Sequence, residues 1–191
     1  MKKLPELLCP AGSPEAFDAA IEGGADAIYL GGASFNARMH AKNFGGDDLR
    51  SAVLRAHAYG VKVYLTLNTL VTDRELPAYL EAAGEAAHAG VDALIVADLG
   101  GAAAIHRAYP ELELHASTQM AIHNAEGARF LQSLGVTRAV LARECTLETI
   151  RETAATGIGS TLSFFVRQFM MTVLNLPSRT SLKRISSLFI Q

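Results

Sequence analysis

Between Leu112 and Asn124 the chain reads Leu-Glu-Leu-His-Ala-Ser-Thr-Gln-Met-Ala-Ile-His-Asn, its densest concentration of groups able to do chemistry. Leu112 and Leu114 alternate as in a short strand. His115, Ser117, Thr118, Gln119, His123 and Asn124 then crowd its exit before a helix opens at Asn124. A loop that leaves a strand carrying donors, acceptors and two imidazoles is where an α/β protein places a site. His115 could act as a general base, with Asp98 and Glu144 as carboxylate partners at other strand exits. Ser117, Gln119 and Asn124 could position a substrate, as could Asn68 and Arg143 at further exits. The separation of His115 from His123 is not a metal signature, so no metal site is expected.

The elements that must carry these residues repeat. A strand at Glu6–Cys9 meets Ser13-Pro14, a cap followed by the residue favoured at a first helical position. Gly24-Ala-Asp-Ala-Ile, Gly60-Val-Lys-Val-Tyr, Gly90-Val-Asp-Ala-Leu and Gly135-Val-Thr-Arg-Ala are each a helix stop feeding a strand. Thr72-Asp-Arg-Glu75 has the spacing of a capping box, and Ala102–Ala108 reads as a helix. A helix with Phe130, Leu131 and Leu134 inward precedes the strand Thr137–Leu141, and Leu162–Val166 can serve as a seventh strand. Strand-then-helix units in series predict a parallel sheet covered by helices, either a (β/α) barrel or an open doubly wound sheet. Polar residues at nearly every strand exit favour the barrel, whose loops all converge on one mouth. The long loop 31–46, with Arg38 and Asn43, belongs to that mouth, as does Tyr29 on the preceding strand.

With 191 residues, half of them hydrophobic, the chain can bury one core. A net charge of −2 gives no overall basic field. Two cysteines, Cys9 and Cys145, without a CxxC pair fit a reducing cytoplasm. No apolar run reaches the length of a membrane span and the N-terminus leaves no room for a signal peptide, so a cytoplasmic address is expected.

Glu6-Leu-Leu-Cys-Pro-Ala-Gly-Ser-Pro-Glu15, Gly24-Ala-Asp-Ala-Ile-Tyr-Leu-Gly-Gly32 with Phe35, Arg38 and Asn43-Phe44, Asn68-Thr-Leu70, Asp98-Leu-Gly100, His115-Ala-Ser-Thr-Gln-Met120 and Leu141-Ala-Arg-Glu144 together resemble the peptidase U32 family, the collagenase-like proteases. The resemblance covers residues 4 to about 166. It implies a TIM-barrel-like domain and one of two activities. One is peptide hydrolysis of unassigned type; the other is oxygen-independent hydroxylation of tRNA or rRNA bases or of a ubiquinone precursor. The substrate would then be a peptide or an RNA. Members of the second kind hold a 4Fe-4S cluster through four cysteines.

Where the family reads Val-His-Gly-Ala, a cysteine and Ser-Gly-x-Cys after its seventh strand, this chain reads Arg167-Gln-Phe-Met-Met-Thr172. No acidic residue follows Glu152, and the glycine stops cease. Residues 1–166 are therefore expected to form an incomplete barrel of six to seven units, against about 250 residues for a complete one. Residues 167–191 form a divergent basic tail, frameshifted or truncated. On this reading the chain carries no cofactor of its own. It is either an enzyme acting at the barrel mouth or an inactive fragment that associates with itself through exposed barrel edges.

Overall fold

A computed structural model describes residues 6–37 and 44–161. The element series is β1 (Leu8–Ala11), α1 (Pro14–Glu22), β2 (Ala27–Gly31), α2 (Gly46–Ala58), β3 (Lys62–Leu67), α3 (Leu76–Ala89) and β4 (Ala93–Val96). It continues with α4 (Leu99–Ala108), β5 (Glu113–Ala116), α5 (Ala125–Ser133), β6 (Val136–Val140), α6 (Leu147–Ala154) and β7 (Gly159–Thr161). The seven strands are all parallel and lie in sequence order, with β1 and β7 as the two edges. Among the described residues this is a TIM-barrel-like sheet that does not close on itself.

Local chemistry explains the repeat. Gly24, Gly60, Gly90 and Gly135 all take the left-handed conformation, which a side chain would resist, and each turns a helix end into the next strand. The residues that follow set register. Asp26 accepts from the Leu7 N–H at 2.8 Å, and Asp92 accepts from the Val63 N–H at 2.7 Å. Thr137 Oγ1 donates to the Leu114 carbonyl at 3.2 Å. The side chain that opens each even-numbered strand thus fastens it to the start of the strand before. These bonds pin the sheet against slippage, which would turn every strand inside out.

Alternation splits the strand residues into two layers. Ile28, Leu30, Val63, Leu65, Leu67, Leu94, Val96, Leu114 and Ala116 face the helices and join the main core. The helices meet them with Phe17, Val53, Ala56, Tyr79, Ala83, Ile105 and Leu131. The opposite set, Ala27, Tyr64, Ala93 and Ile95 with Leu8 and Tyr29 against them, lines the lumen.

Several boundaries differ from the sequence expectation. β1 starts at Leu8, not Glu6, because the Glu6 side chain turns into the lumen to bond Tyr64 and Arg138. In the Thr72–Glu75 turn the Glu75 carboxylate accepts from the Thr72 N–H (2.9 Å) and hydroxyl (2.7 Å), while the helix itself begins at Leu76 with Pro77 in its first turn. α4 begins at Leu99, since Asp98 caps it. Phe130 is 53% exposed, and the inner face of the short helix α5 is Ala128 and Leu131 instead. The seventh strand lies at Gly159–Thr161; the expected range Leu162–Val166 and the basic tail fall outside the described residues.

Candidate functional site

The C-terminal ends of the strands form a mouth whose exit loops are stitched to one another. After β2, the Gly32 N–H donates to the Thr66 carbonyl at 3.3 Å, and the Thr66 hydroxyl lies 3.1 Å from both the Leu30 carbonyl and Asn36 Oδ1. Phe35 holds a left-handed backbone (φ 54°), costly for a bulky side chain, and its ring meets Tyr79 edge-on at 5.2 Å. The Thr69 N–H donates to the Phe35 carbonyl at 3.1 Å, and the Ala37 N–H donates to Asn68 Oδ1 at 3.1 Å. On its other side, Asn68 Nδ2 donates to Ser117 Oγ at 3.4 Å. Asp98 caps α4 through the Gly101 N–H (2.6 Å) and accepts from the Val71 N–H of the neighbouring loop (3.4 Å). The β5 exit is in turn tied to the β6 exit, where the Ala142 N–H donates to the Ile122 carbonyl at 2.9 Å.

Of the residues expected to form a site, Asn68 and Ser117 touch, and the Gln119 N–H joins them by donating to Ser117 Oγ at 3.3 Å. Ser117 is buried at 3% exposure. The Gln119 side chain lies on an exposed turn, and Asn124 spends its Oδ1 capping α5 through the Gly127 N–H (2.7 Å). Arg143 and Glu144 are exposed on the β6–α6 loop, and Tyr29 lies half-buried against the lumen cluster. Arg38 and Asn43 fall outside the described residues. The rim also exposes Leu70, Leu99 and Leu147.

His115 stands apart from this mouth. Two residues before Ser117 on the same strand face, its ring lies deeper in the lumen, edge-on to Tyr64 at 4.7 Å, with Nε2 directed at Glu113 (3.4 Å). Burial, then the nearby charges of Arg138 and Lys62, hold its pKa down to about 3, so it is neutral at physiological pH. The floor below it is a network that sequence reasoning missed. Glu6 Oε1 accepts from the Tyr64 hydroxyl at 2.8 Å and from Arg138, whose guanidinium lies 5.7 Å from the Tyr64 ring centre. Burial followed by the Glu6 hydrogen bond raises the Tyr64 pKa well beyond its usual value. Burial works to lower that of Arg138, and the bond to Glu6 together with the nearby charges of Tyr64, Glu6 and Glu113 outweighs it. Strand alternation could have found Tyr64 and Arg138 as lumen residues; nothing local in sequence marks Asn36.

Among the described residues no three of His, Cys, Asp and Glu stand close enough to hold a metal ion. The cluster that the family resemblance implies does not fit the residues present. It requires four thiolates, whereas the chain has Cys9 on β1 and Cys145 after β6. Both thiols are pushed up by burial, and further by Asp26 and Glu144 respectively. No described helix is long and apolar enough to cross a membrane.

The family model Peptidase family U32 matches residues 12–174. The chain belongs to the peptidase U32 family. That match runs past residue 166, where the sequence motifs break off. The chain is 42% identical over 161 residues to the 23S rRNA 5-hydroxycytidine C2501 synthase of Escherichia coli, covering 84% of this chain and 24% of that protein. It is 38% identical over 153 residues to the tRNA hydroxylation protein P1 of Bacillus subtilis, covering 78% of this chain and 36% of that protein. It thus spans about a quarter of the first relative and just over a third of the second. Among solved structures, the U32 peptidase Mk0906 aligns with a TM-score of 0.66 at 15% identity, over 82% of this chain and 68% of that one, which establishes the barrel-like fold.

Proposed function

We propose that this chain is the barrel portion of a protein that hydroxylates RNA bases in the cytoplasm. The observation that carries the reading is the 42% identity to an rRNA hydroxycytidine synthase, joined by the 38% identity to a tRNA hydroxylation protein. The mouth supports it, since it offers hydroxyl and amide groups that can bind and orient a base edge, with His115 kept neutral below them. A base held there sits against Asn68, Ser117 and Gln119, with Asn124 and Arg143 on the loops that follow. The redox chemistry then belongs to a group carried outside these residues. The open edges β1 and β7 are where the rest of a barrel, or a second copy, completes the sheet. Nucleoside mass spectrometry of rRNA and tRNA, with and without the gene, tests this reading. Loss of one hydroxylated pyrimidine is expected, and identical nucleoside profiles overturn it.

Peptide hydrolysis is the second reading, favoured by the family match itself. His115, Asp98 and Glu144 would then supply the proton transfers. Release of fragments from gelatin by the purified chain, lost in His115→Ala, is its test.

A further inference from the structure

We infer that Ser117 is held as an obligate hydrogen-bond donor to an acceptor oxygen of a bound ligand, and that Asn68 is the positioning residue that holds it so. The inference deepens the RNA reading above and rests on it for the identity of the ligand.

The argument begins with the Asn68 amide, whose two ends look alike in shape and differ only in chemistry. Its orientation is fixed from outside. The Ala37 backbone N–H, which can only donate, lies 3.1 Å from Oδ1, so that end must be the oxygen. The NH2 end therefore faces Ser117 Oγ, at 3.4 Å, and must donate to it. The Gln119 backbone N–H, again only a donor, takes a second position on the same oxygen at 3.3 Å. A serine hydroxyl has two acceptor lone pairs and one proton. With both lone pairs engaged, only the proton remains to be used. Among the described residues no acceptor for it is found, although Ser117 is 3% exposed at a strand exit of the mouth.

Such a hydroxyl is selective. It rewards a carbonyl or phosphate oxygen and penalises an N–H placed in the same spot, because a buried polar group left facing its own kind loses its hydrogen bond altogether. It is also a poor nucleophile, since its lone pairs are occupied and His115 points at Glu113. In RNA the acceptor is either the carbonyl of a pyrimidine or a backbone phosphate oxygen.

Asn68→Asp is the informative change. It keeps the oxygen that receives the Ala37 N–H and replaces the NH2 by a second acceptor. The Ser117 proton then turns to the new carboxylate, and the hydroxyl offers a lone pair where it offered a proton. The probe is a single-stranded 12-nucleotide RNA, adenosines with one central cytidine, titrated against the full chain. Asn68→Asp should weaken binding at least tenfold, and Ser117→Ala by roughly three- to tenfold. In the Ser117→Ala background, Asn68→Asp should change binding less than twofold. If Asn68→Asp binds like the wild type, or if its loss persists undiminished without the hydroxyl, the inference is overturned; the second result would mark simple charge repulsion. An all-adenosine RNA separates the two acceptors. A pyrimidine carbonyl contact makes the Ser117→Ala loss vanish with that probe, whereas a phosphate contact leaves it intact.

A measurement without RNA separates failure of this inference from failure of the RNA reading. In the NMR spectrum, Ser117→Ala should shift the Asn68 side-chain NH2 pair and leave the Ala37 amide in place. If no RNA binds but that shift appears, the RNA reading falls and the donor assignment stands. An unmoved NH2 pair overturns the assignment.

Discussion

The two ends of this lumen are built from different chemistry. At the floor, Glu6 bonds both Tyr64 and Arg138, while the His115 ring lies edge-on to Tyr64 and turns its Nε2 to Glu113. At the mouth, Asn68, Ser117 and Asp98 accept from backbone N–H groups of the exit loops, and Asn68 donates to Ser117. The residue types usually associated with catalysis sit where they hold the sheet together. The amide and the hydroxyl sit at the strand exits, where the ligand proposed above would arrive. In a parallel barrel the strand starts serve stability and the strand ends serve function, and here that division overrides residue type as a guide to role.

The comparison breaks most sharply at Arg138. Arg138→Ala leaves Glu6 facing the lumen with only the Tyr64 hydroxyl, and removing one partner of a pair whose side chains are 23% and 24% exposed costs about 2 kcal/mol, less than for a fully buried pair. Urea unfolding should report a loss of that order. The pair spans from the segment before β1 to β6, so the loss should come with β1 pulling away, seen as faster amide exchange at Cys9 and Ala11. A change below about 1 kcal/mol would mean that the floor is no more structural than the mouth.

His115 supplies the next effect, and its sign follows from its depressed pKa. The unfolded chain takes up a proton near pH 6.5, whereas the folded chain takes it up only near 3. Between those values the unfolded state binds more protons, so stability falls as pH falls through that window, by at most about 1.4 kcal/mol per pH unit from this group. His115→Phe keeps a ring against Tyr64 and should flatten the difference in stability between pH 6 and 4. Equal slopes in the two proteins would show that the imidazole is solvated and belongs with the mouth after all.

The glycine stops and the helix stripes made the element series legible, because a left-handed turn and a buried face each need particular residues locally. Direction of side chains was legible only where alternation was applied strictly. His115 and Ser117 share a strand face and adjacent depths, and they were read as one cluster because sequence places them together. The strand runs on to Ala116, which sets the imidazole a layer below the hydroxyl. Asp98 stands at a strand exit as expected, and its neighbours Leu99-Gly100-Gly101 make it the cap of α4 as well, a role that a strand-exit reading alone does not show. The Glu6–Arg138 pair joins residues far apart in sequence, and no local signal announces it.

Asp98 tests the mouth at lower cost. Asp98→Ala removes the cap of α4 and the Val71 contact, for about 1 kcal/mol, below the floor variant. Asp98→Asn keeps one acceptor oxygen for the short bond from the Gly101 N–H and gives up the long one from Val71, so it should recover most of that loss in thermal unfolding. If Asp98→Asn recovers stability yet abolishes turnover, the carboxylate has a chemical role beyond its cap.

Glu144 should matter least to the fold. It is exposed on the β6–α6 loop, so Glu144→Ala should change stability by less than about 0.5 kcal/mol. That neutrality makes it a clean probe of function. A variant that folds like the wild type and still loses activity has lost chemistry, not structure, and would extend the working mouth from β5 outward to the β6 exit. A variant that keeps both fold and activity confines the mouth to the exits stitched together by Asn68, Ser117 and Asp98. The Cys145 thiol beside it adds an internal reading, because Glu144 contributes to holding its pKa up. Glu144→Ala should therefore let Cys145 react faster with a thiol reagent at pH 8 even where activity does not change, and an unaltered rate would place the carboxylate too far out over solvent to act on the mouth at all.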